Sequence, residues 1–258
     1  GYNDRISGIL VLMLLHETMC QKHTWEINML GRRVMPIMHE ISHLPGGHKP
    51  LNFVHKLADG STRHVQTYAG PIEIYGDKLM LCIVHDITEQ KRLEEQLEHA
   101  AHHDAMTGLL NRRQFYHITE PGQMQHLAIA QDYSLLLIDT DRFKHINDLY
   151  GHSKGDEVLC ALARTLESCA RKGDLVFRWG GEEFVLLLPR TPLDTALSLA
   201  ETIRVSVAKV SISGLPRFTV SIGVAHHEGN ESIDELFKRF DDALYRAKND
   251  GRNRVLAA

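Results

Sequence analysis

Two strand-like runs, 174–179 and 183–188, are separated only by Gly180-Gly181-Glu182, and so short a gap leaves room for nothing but a tight hairpin. Glycine supplies the backbone freedom such a turn needs and lets the main chain approach a ligand closely. Around the hairpin, strands and helices alternate. An apolar strand is expected over 135–139, an amphipathic helix over 156–170, a helix over 195–210, a strand over 218–225 and a helix over 233–248. Alternation interrupted by a hairpin predicts an α/β fold with a central mixed or antiparallel sheet flanked by helices.

The first third reads differently. A strand is expected over 9–12, a helix over 26–38 stopping near Pro36, and a loop over 43–50. Strand-like stretches follow at 51–57, 62–69, 72–74 and 78–84, the first two separated by the turn signal Asp59-Gly60. This predicts an antiparallel sheet with helices. Between the two regions, 89–103 is highly charged, with Leu93, Leu97 and Ala100 or Ala101 on one stripe. It reads as a connecting helix, capped by Asp86 or Thr88, that is either solvated or paired with a second copy as a short parallel coiled coil. The division is then 5–88, 89–103 and 104–258.

Charge narrows the partners. With a net charge of -4, the chain lacks the basic face that a nucleic-acid polymer requires, whereas a small phosphate ligand needs only a local cation or a helix N-terminus. The longest apolar run, 9–15, is far short of the about 20 residues of a membrane span. The cysteines at 20, 82, 160 and 169 form no metal or disulfide pattern and read as reduced, mostly core residues. A cytoplasmic protein is expected, and the start at Gly1-Tyr2 suggests a piece of a longer one.

The chemistry-bearing residues fall into clusters. Asp139 closes an apolar strand, and Glu182 and Glu183 sit together at the hairpin tip. If the strands are neighbours, Asp139 and Glu182 can share a divalent ion, and Mg²⁺ favours a few carboxylates plus substrate phosphates. Asp139 taken alone also reads as an ordinary turn acid, whereas two adjacent acids at a hairpin tip are poorly explained by packing. Lys144 offers a point charge for phosphate. Asn147 and Asp156 can together read the donor and acceptor edge of guanine, although Asp156 also fits a helix N-cap. Lys248 and Arg252 fit either a phosphate clamp or favourable charge at a helix C-terminus.

Taken in order, these motifs resemble a known family. Gly180-Gly181-Glu182-Glu183-Phe184 is similar to the signature of GGDEF diguanylate cyclases in its GGEEF form. Asp104-Ala105-Met106-Thr107-Gly108-Leu109-Leu110-Asn111-Arg112-Arg113 matches the family's opening motif, with Met106 for the usual leucine. The run Asp139 to His152, the pair Gly155-Asp156, the stretch Asp241 to Lys248 and Gly251-Arg252-Asn253 match as well. The resemblance implies a nucleotidyl-cyclase-like fold that condenses two GTP into cyclic di-GMP with release of pyrophosphate. It implies Mg²⁺, or Mn²⁺, held by Asp139, Glu182 and the Thr140 carbonyl with Glu183 beside them. It implies guanine contacts from Asn147 and Asp156. Triphosphate and substrate contacts would come from Phe143, Lys144, His152, Lys248 and Arg252. Two domains must face each other, so a homodimer is implied. Arg171 and Asp174 match the family's R-x-x-D motif, implying feedback inhibition by bound cyclic di-GMP. That site usually takes a second arginine from a partner surface, and Arg204 is one candidate.

Residues 5–88 resemble a PAS domain through Glu26-Ile27-Asn28-Met29-Leu30-Gly31-Arg32, Asp59-Gly60-Ser61-Thr62-Arg63 and Asp86-Ile87-Thr88-Glu89-Gln90-Lys91-Arg92. The resemblance implies a sensor or dimer scaffold acting through the 89–103 helix. Its histidines read as surface or core residues, so no cofactor is expected there. The rival readings are a receptor for cyclic di-GMP without catalysis, a cyclase of other nucleotides, and an interaction module with a silent catalytic domain.

Overall fold

The computed structural model describes residues 9–10, 24–42, 50–57, 59–120, 132–227 and 231–258. The chain divides into two compact units, 1–97 and 98–258.

In the first unit, β1 (Ile9–Leu10), β2 (Leu51–Lys56), β3 (Thr62–Ile74) and β4 (Asp77–Asp86) form one antiparallel sheet in the order β1-β4-β3-β2. Helices α1 (Thr24–Ile27) and α2 (Val34–Ser42) precede β2. Val34, Phe53, Val65 and Val84 are the buried cluster of this unit. The expected strands over 62–69 and 72–74 are one strand, because Gly70 and Pro71 stay in register with Leu81 and Met80 of β4. The expected strand over 9–12 is described only at Ile9–Leu10, and the loop over 43–49 lies outside the described residues. After β4, the Asp86 carboxylate accepts the Thr88 N–H at 2.9 Å, so Asp86 supplies the cap for α3 (Thr88–His102).

The second unit is a three-layer sandwich. Its strands are β5 (Leu110–Asn111), β6 (Tyr133–Thr140), β7 (Leu175–Gly180), β8 (Glu183–Pro189), β9 (Val220–His226) and β10 (Val255–Ala257). Their order is β10-β9-β6-β8-β7-β5, with antiparallel pairing in the middle and parallel pairs at both edges, so the sheet is mixed. Every residue of β6 is buried, as a central strand covered on both faces must be. Its side chains alternate. Leu136 and Ile138 meet Val158, Leu162 and Leu166 of α6 (His152–Cys169) and Ala200 and Ile203 of α7 (Leu193–Val207). Leu135 and Leu137 meet Phe115 of α4 (Arg112–Thr119) and Phe240 and Leu244 of α8 (Ile233–Asn249). Two short helices, α4 and α5 (Phe143–Tyr150), were not expected from the sequence. The helix expected over 156–170 starts at His152, so Asp156 lies inside it and its N-cap role is corrected: Gly151 holds that place.

β9 and α8 pack backbone to backbone at Gly223. A Cβ there would fall inside van der Waals distance of the Phe240 carbonyl and the Leu244 amide. Neither atom can swing away. Gly223→Ala should therefore cost about 3 kcal/mol of stability, seen as a lower midpoint of urea unfolding.

Candidate active site

The register of β6 against β8 sets Asp139 directly opposite Glu183, with Glu182 one residue earlier at the tip of the hairpin. Gly180 and Gly181 both take positive φ, at 157° and 52°, which is the freedom the turn requires. The Thr140 N–H reaches the Glu182 carbonyl at 3.3 Å, joining the end of β6 to the turn. Asp139, Thr140, Glu182 and Glu183 are thus brought together at one end of the sheet.

Asp139 is only 4% exposed. Burial pushes its carboxyl up to about 6, an ion pair with Lys248 opposes the rise, and the charges of Glu182 and Glu183 add to it. Burial likewise raises Glu182, against the pull of Lys248 and with the push of Glu183. Lys248 Nζ lies 2.7 Å from Asp139 Oδ2. One ammonium therefore faces three carboxylates. That excess of negative charge on oxygen donors fits a small hard divalent cation. Among the described residues there is no ready-made group of three or more His, Cys, Asp or Glu ligands, so an ion here would depend on main-chain and substrate oxygens as well.

A second group lies along α5 and α6. Phe143 is the first residue of α5, and its side chain is buried in the core, 8% exposed. Arg142 before it is in left-handed backbone and gives no side-chain cap, so the first N–H groups of α5 are not capped by it. Lys144 and His152 are exposed. The Asn147 Oδ1 is buried and has no hydrogen-bond partner among the described residues. A Cβ on Gly155 would collide with that same oxygen, so the missing side chain keeps space around it. Asp156, exposed, is the next residue. A buried amide oxygen without a partner calls for a donor from outside.

Two residues that carry no assigned role in the sequence hold this site together. Asp141 accepts from Thr219 Oγ1 and Ser221 Oγ, each at 2.6 Å, and from the Asn253 N–H at 3.0 Å. It thereby fixes the loop carrying Arg252, whose backbone is left-handed (φ 64°) and whose N–H reaches the Ala247 carbonyl. Arg178 bonds both oxygens of Asp104, at 2.9 and 3.1 Å, and the Gly181 carbonyl at 3.0 Å. The sequence signal for Asp141 was its place inside a motif, whereas Arg178 lies in none of the motifs.

Arg171 and Asp174 meet at a separate place, where Arg171 Nε lies 3.1 Å from Asp174 Oδ1. Arg204 is committed elsewhere, to Glu201 and to Asn253 Oδ1.

The family profile described as "Diguanylate cyclase, GGDEF domain" matches residues 101–254. The chain is 99% identical over 243 residues to diguanylate cyclase DgcM of Escherichia coli O157:H7, covering 94% of this chain and 59% of that protein. It is 40% identical over 178 residues to diguanylate cyclase VdcA of Vibrio cholerae, covering 65% of this chain and 51% of that one. The chain thus spans between half and three-fifths of the length of these curated relatives. Among solved structures, the coiled coil and GGDEF domain of DgcB from Caulobacter crescentus in complex with c-di-GMP is similar with TM-score 0.60 and 32% identity, over 66% of this chain and 94% of that one. The active GGEEF domain of a diguanylate cyclase from Vibrio cholerae is similar with TM-score 0.53 and 38% identity, over 58% and 97%.

The raised Asp139 has a measurable consequence in the ligand-free protein. Its folded state holds a proton more tightly than the unfolded chain, so its contribution to stability is complete below about pH 4 and is lost as pH rises through about 6. Asp139→Asn removes that loss, while Lys248 keeps Glu182 as a counter-charge. The variant should melt at or above wild type at about pH 8, with a gain of up to about 3 kcal/mol, and the gain should shrink as the pH is lowered below 6.

Proposed function

The chain belongs to the diguanylate cyclase GGDEF-domain family, and from that premise we propose that residues 104–258 join two GTP molecules into cyclic di-GMP, releasing two pyrophosphates. The observation that carries the reading is the β6–β8 register, which sets Asp139 against Glu183 beside Glu182.

Asp139, Glu182 and the Thr140 carbonyl would hold Mg²⁺ or Mn²⁺, with Glu183 alongside. When bound, the ion neutralises triphosphate charge. The chain's own residues do the rest. Asn147 and Asp156 bind the guanine edge, the Asn147 oxygen accepting one of its N–H donors. The exposed first turn of α5, with Lys144 and His152 nearby in sequence, receives the phosphates. Lys248 and Arg252 contact the terminal phosphates, and Lys248 moves from Asp139 to do so. In the reaction, the ribose 3'-oxygen of one GTP attacks the α-phosphorus of the other, and the bond to the β-phosphate breaks.

Each domain holds one GTP, so the reaction needs a second copy facing the first. The exposed Leu93 and Leu97 on α3, 46% and 71% accessible, support pairing of that helix with its copy, and the similar DgcB structure is described as a coiled coil with a GGDEF domain. Residues 5–88 are read as a PAS domain that regulates or scaffolds this dimer. The antiparallel order β1-β4-β3-β2 supports that reading. Arg171 and Asp174 are read as the site of feedback inhibition by the product.

Incubation of the chain with GTP and Mg²⁺ should yield cyclic di-GMP and pyrophosphate by mass. Asp139→Ala and Glu182→Ala should each lose more than about 100-fold in rate, as expected when an electrostatic anchor of a phosphoryl-transfer site is removed. An active Asp139→Ala protein would sink the site assignment. A wild type that binds cyclic di-GMP but forms none would favour the receptor reading. Gly155→Ala displaces the flexible Asn147 amide rather than backbone. It should raise KM for GTP about tenfold with little change in melting temperature.

A further inference from the structure

Between α8 and β10 the chain turns through Gly251, Arg252 and Asn253, all with positive φ, at 114°, 64° and 45°. Glycine takes such backbone freely, whereas two successive residues bearing a Cβ seldom do. A turn of this kind persists only where its surroundings hold it. The hold on the side of the sheet and α7 falls on Asn253. Its main-chain N–H donates to Asp141 just after β6 at 3.0 Å, and its side-chain Oδ1 accepts from Arg204 Nη1 at 2.8 Å. Arg252 is tied by its main chain alone, to the Ala247 carbonyl. Its guanidinium is exposed, and no hydrogen bond or ion pair joins it to any described residue.

Arg204 lies in the last turn of α7 with its side chain 21% accessible. Its Nε and Nη2 both bond the Glu201 carboxylate, three residues earlier on the same helix. A paired fork of this kind fixes the plane of the guanidinium, and Nη1 is the corner left to reach Asn253. A partly exposed ion pair within one helix contributes little stability by itself. Its reach beyond the helix is the bond to the Arg252 turn.

We propose that Arg204 is a positioning residue for the triphosphate of GTP. Through Asn253 it holds the turn that carries Arg252, and so sets where the Arg252 guanidinium meets the terminal phosphates. Arg204 itself touches no substrate in this role. The inference rests on the reading of Arg252 as a terminal-phosphate contact and deepens it.

The test is a double-mutant cycle on the full chain between Arg204→Ala and Arg252→Ala. Calorimetric titration with Mg²⁺ and guanosine 5'-[α,β-methylene]triphosphate, which cannot release pyrophosphate, measures binding, and turnover of GTP gives KM and kcat. Arg252→Ala is expected to weaken binding about tenfold and Arg204→Ala about fivefold. The double variant should be no weaker than Arg252→Ala alone, because Arg204 acts only through Arg252. KM rather than kcat should carry the loss. Asn253→Gly keeps the left-handed backbone and the main-chain bond to Asp141, leaves the Arg204–Glu201 pair intact, and removes only the side-chain link. It should reproduce Arg204→Ala. If Arg252→Ala weakens binding but Arg204→Ala and Asn253→Gly do not, or if the loss from Arg204→Ala adds in full to that from Arg252→Ala, Arg204 has no positioning role and the reading of Arg252 stands. If Arg252→Ala binds the analogue like wild type, the reading of Arg252 falls and this inference with it.

Discussion

The antiparallel pairing of β6 with β8 is the constraint on which the second unit depends. β6 is buried on both faces, so its register is set by the need of Leu135 and Leu137 to face one helical layer and of Leu136 and Ile138 to face the other. A slip of one residue would exchange the two faces. The same register that satisfies the core leaves Asp139 at the strand end opposite Glu183. Packing free energy, gained along the whole strand, thus offsets the repulsion of carboxylates that would not otherwise approach one another.

That repulsion is only partly relieved inside the chain. Lys248 reaches Asp139 from the last turn of α8, yet Asp139 and Glu182 both remain harder to ionise than free carboxylic acids. Asn147 shows the complementary condition in uncharged form, a buried oxygen with no donor. Both features cost stability in the ligand-free chain. Both would be relieved by ligands of opposite character, a cation for the carboxylates and an N–H donor for the amide. Arg142 before α5 and Arg252 after α8 are also in left-handed backbone, at the two segments that flank this end of the sheet.

The hairpin, the central strand and the acids were legible in the sequence because each depends on local pattern: glycines at a turn, a run of leucines, an acid where the run stops. What was not legible depended on partners distant in sequence. Gly70-Pro71 reads as a break, but β4 runs alongside and β3 continues through it. The helix was expected to start at 156, yet α6 begins at His152 and includes Gly155, whose bare Cα leaves room for the Asn147 side chain. Phe143 was read as a ligand residue from its place in a motif, and the core claims its side chain.

Asp104 and Arg178 extend the argument to the start of the second unit. Asp104 closes its own turn by accepting from the Thr107 amide and hydroxyl, and the same carboxylate holds Arg178. His103 meets the Gly108 carbonyl at 2.8 Å, and Asn111 donates to the Ala101 carbonyl at 3.0 Å, so the last turn of α3 is bonded to this motif. Arg178 then donates to the Gly181 carbonyl inside the signature turn. The end of the connecting helix and the turn bearing Glu182 are therefore joined by short, directional polar contacts, with Arg178 only 13% accessible at their centre. Directional bonds to one guanidinium transmit orientation, whereas apolar packing alone would let the helix end slide. The last turn of α3, the 104–111 motif and the signature turn are thus linked through Arg178 by one continuous series of polar contacts.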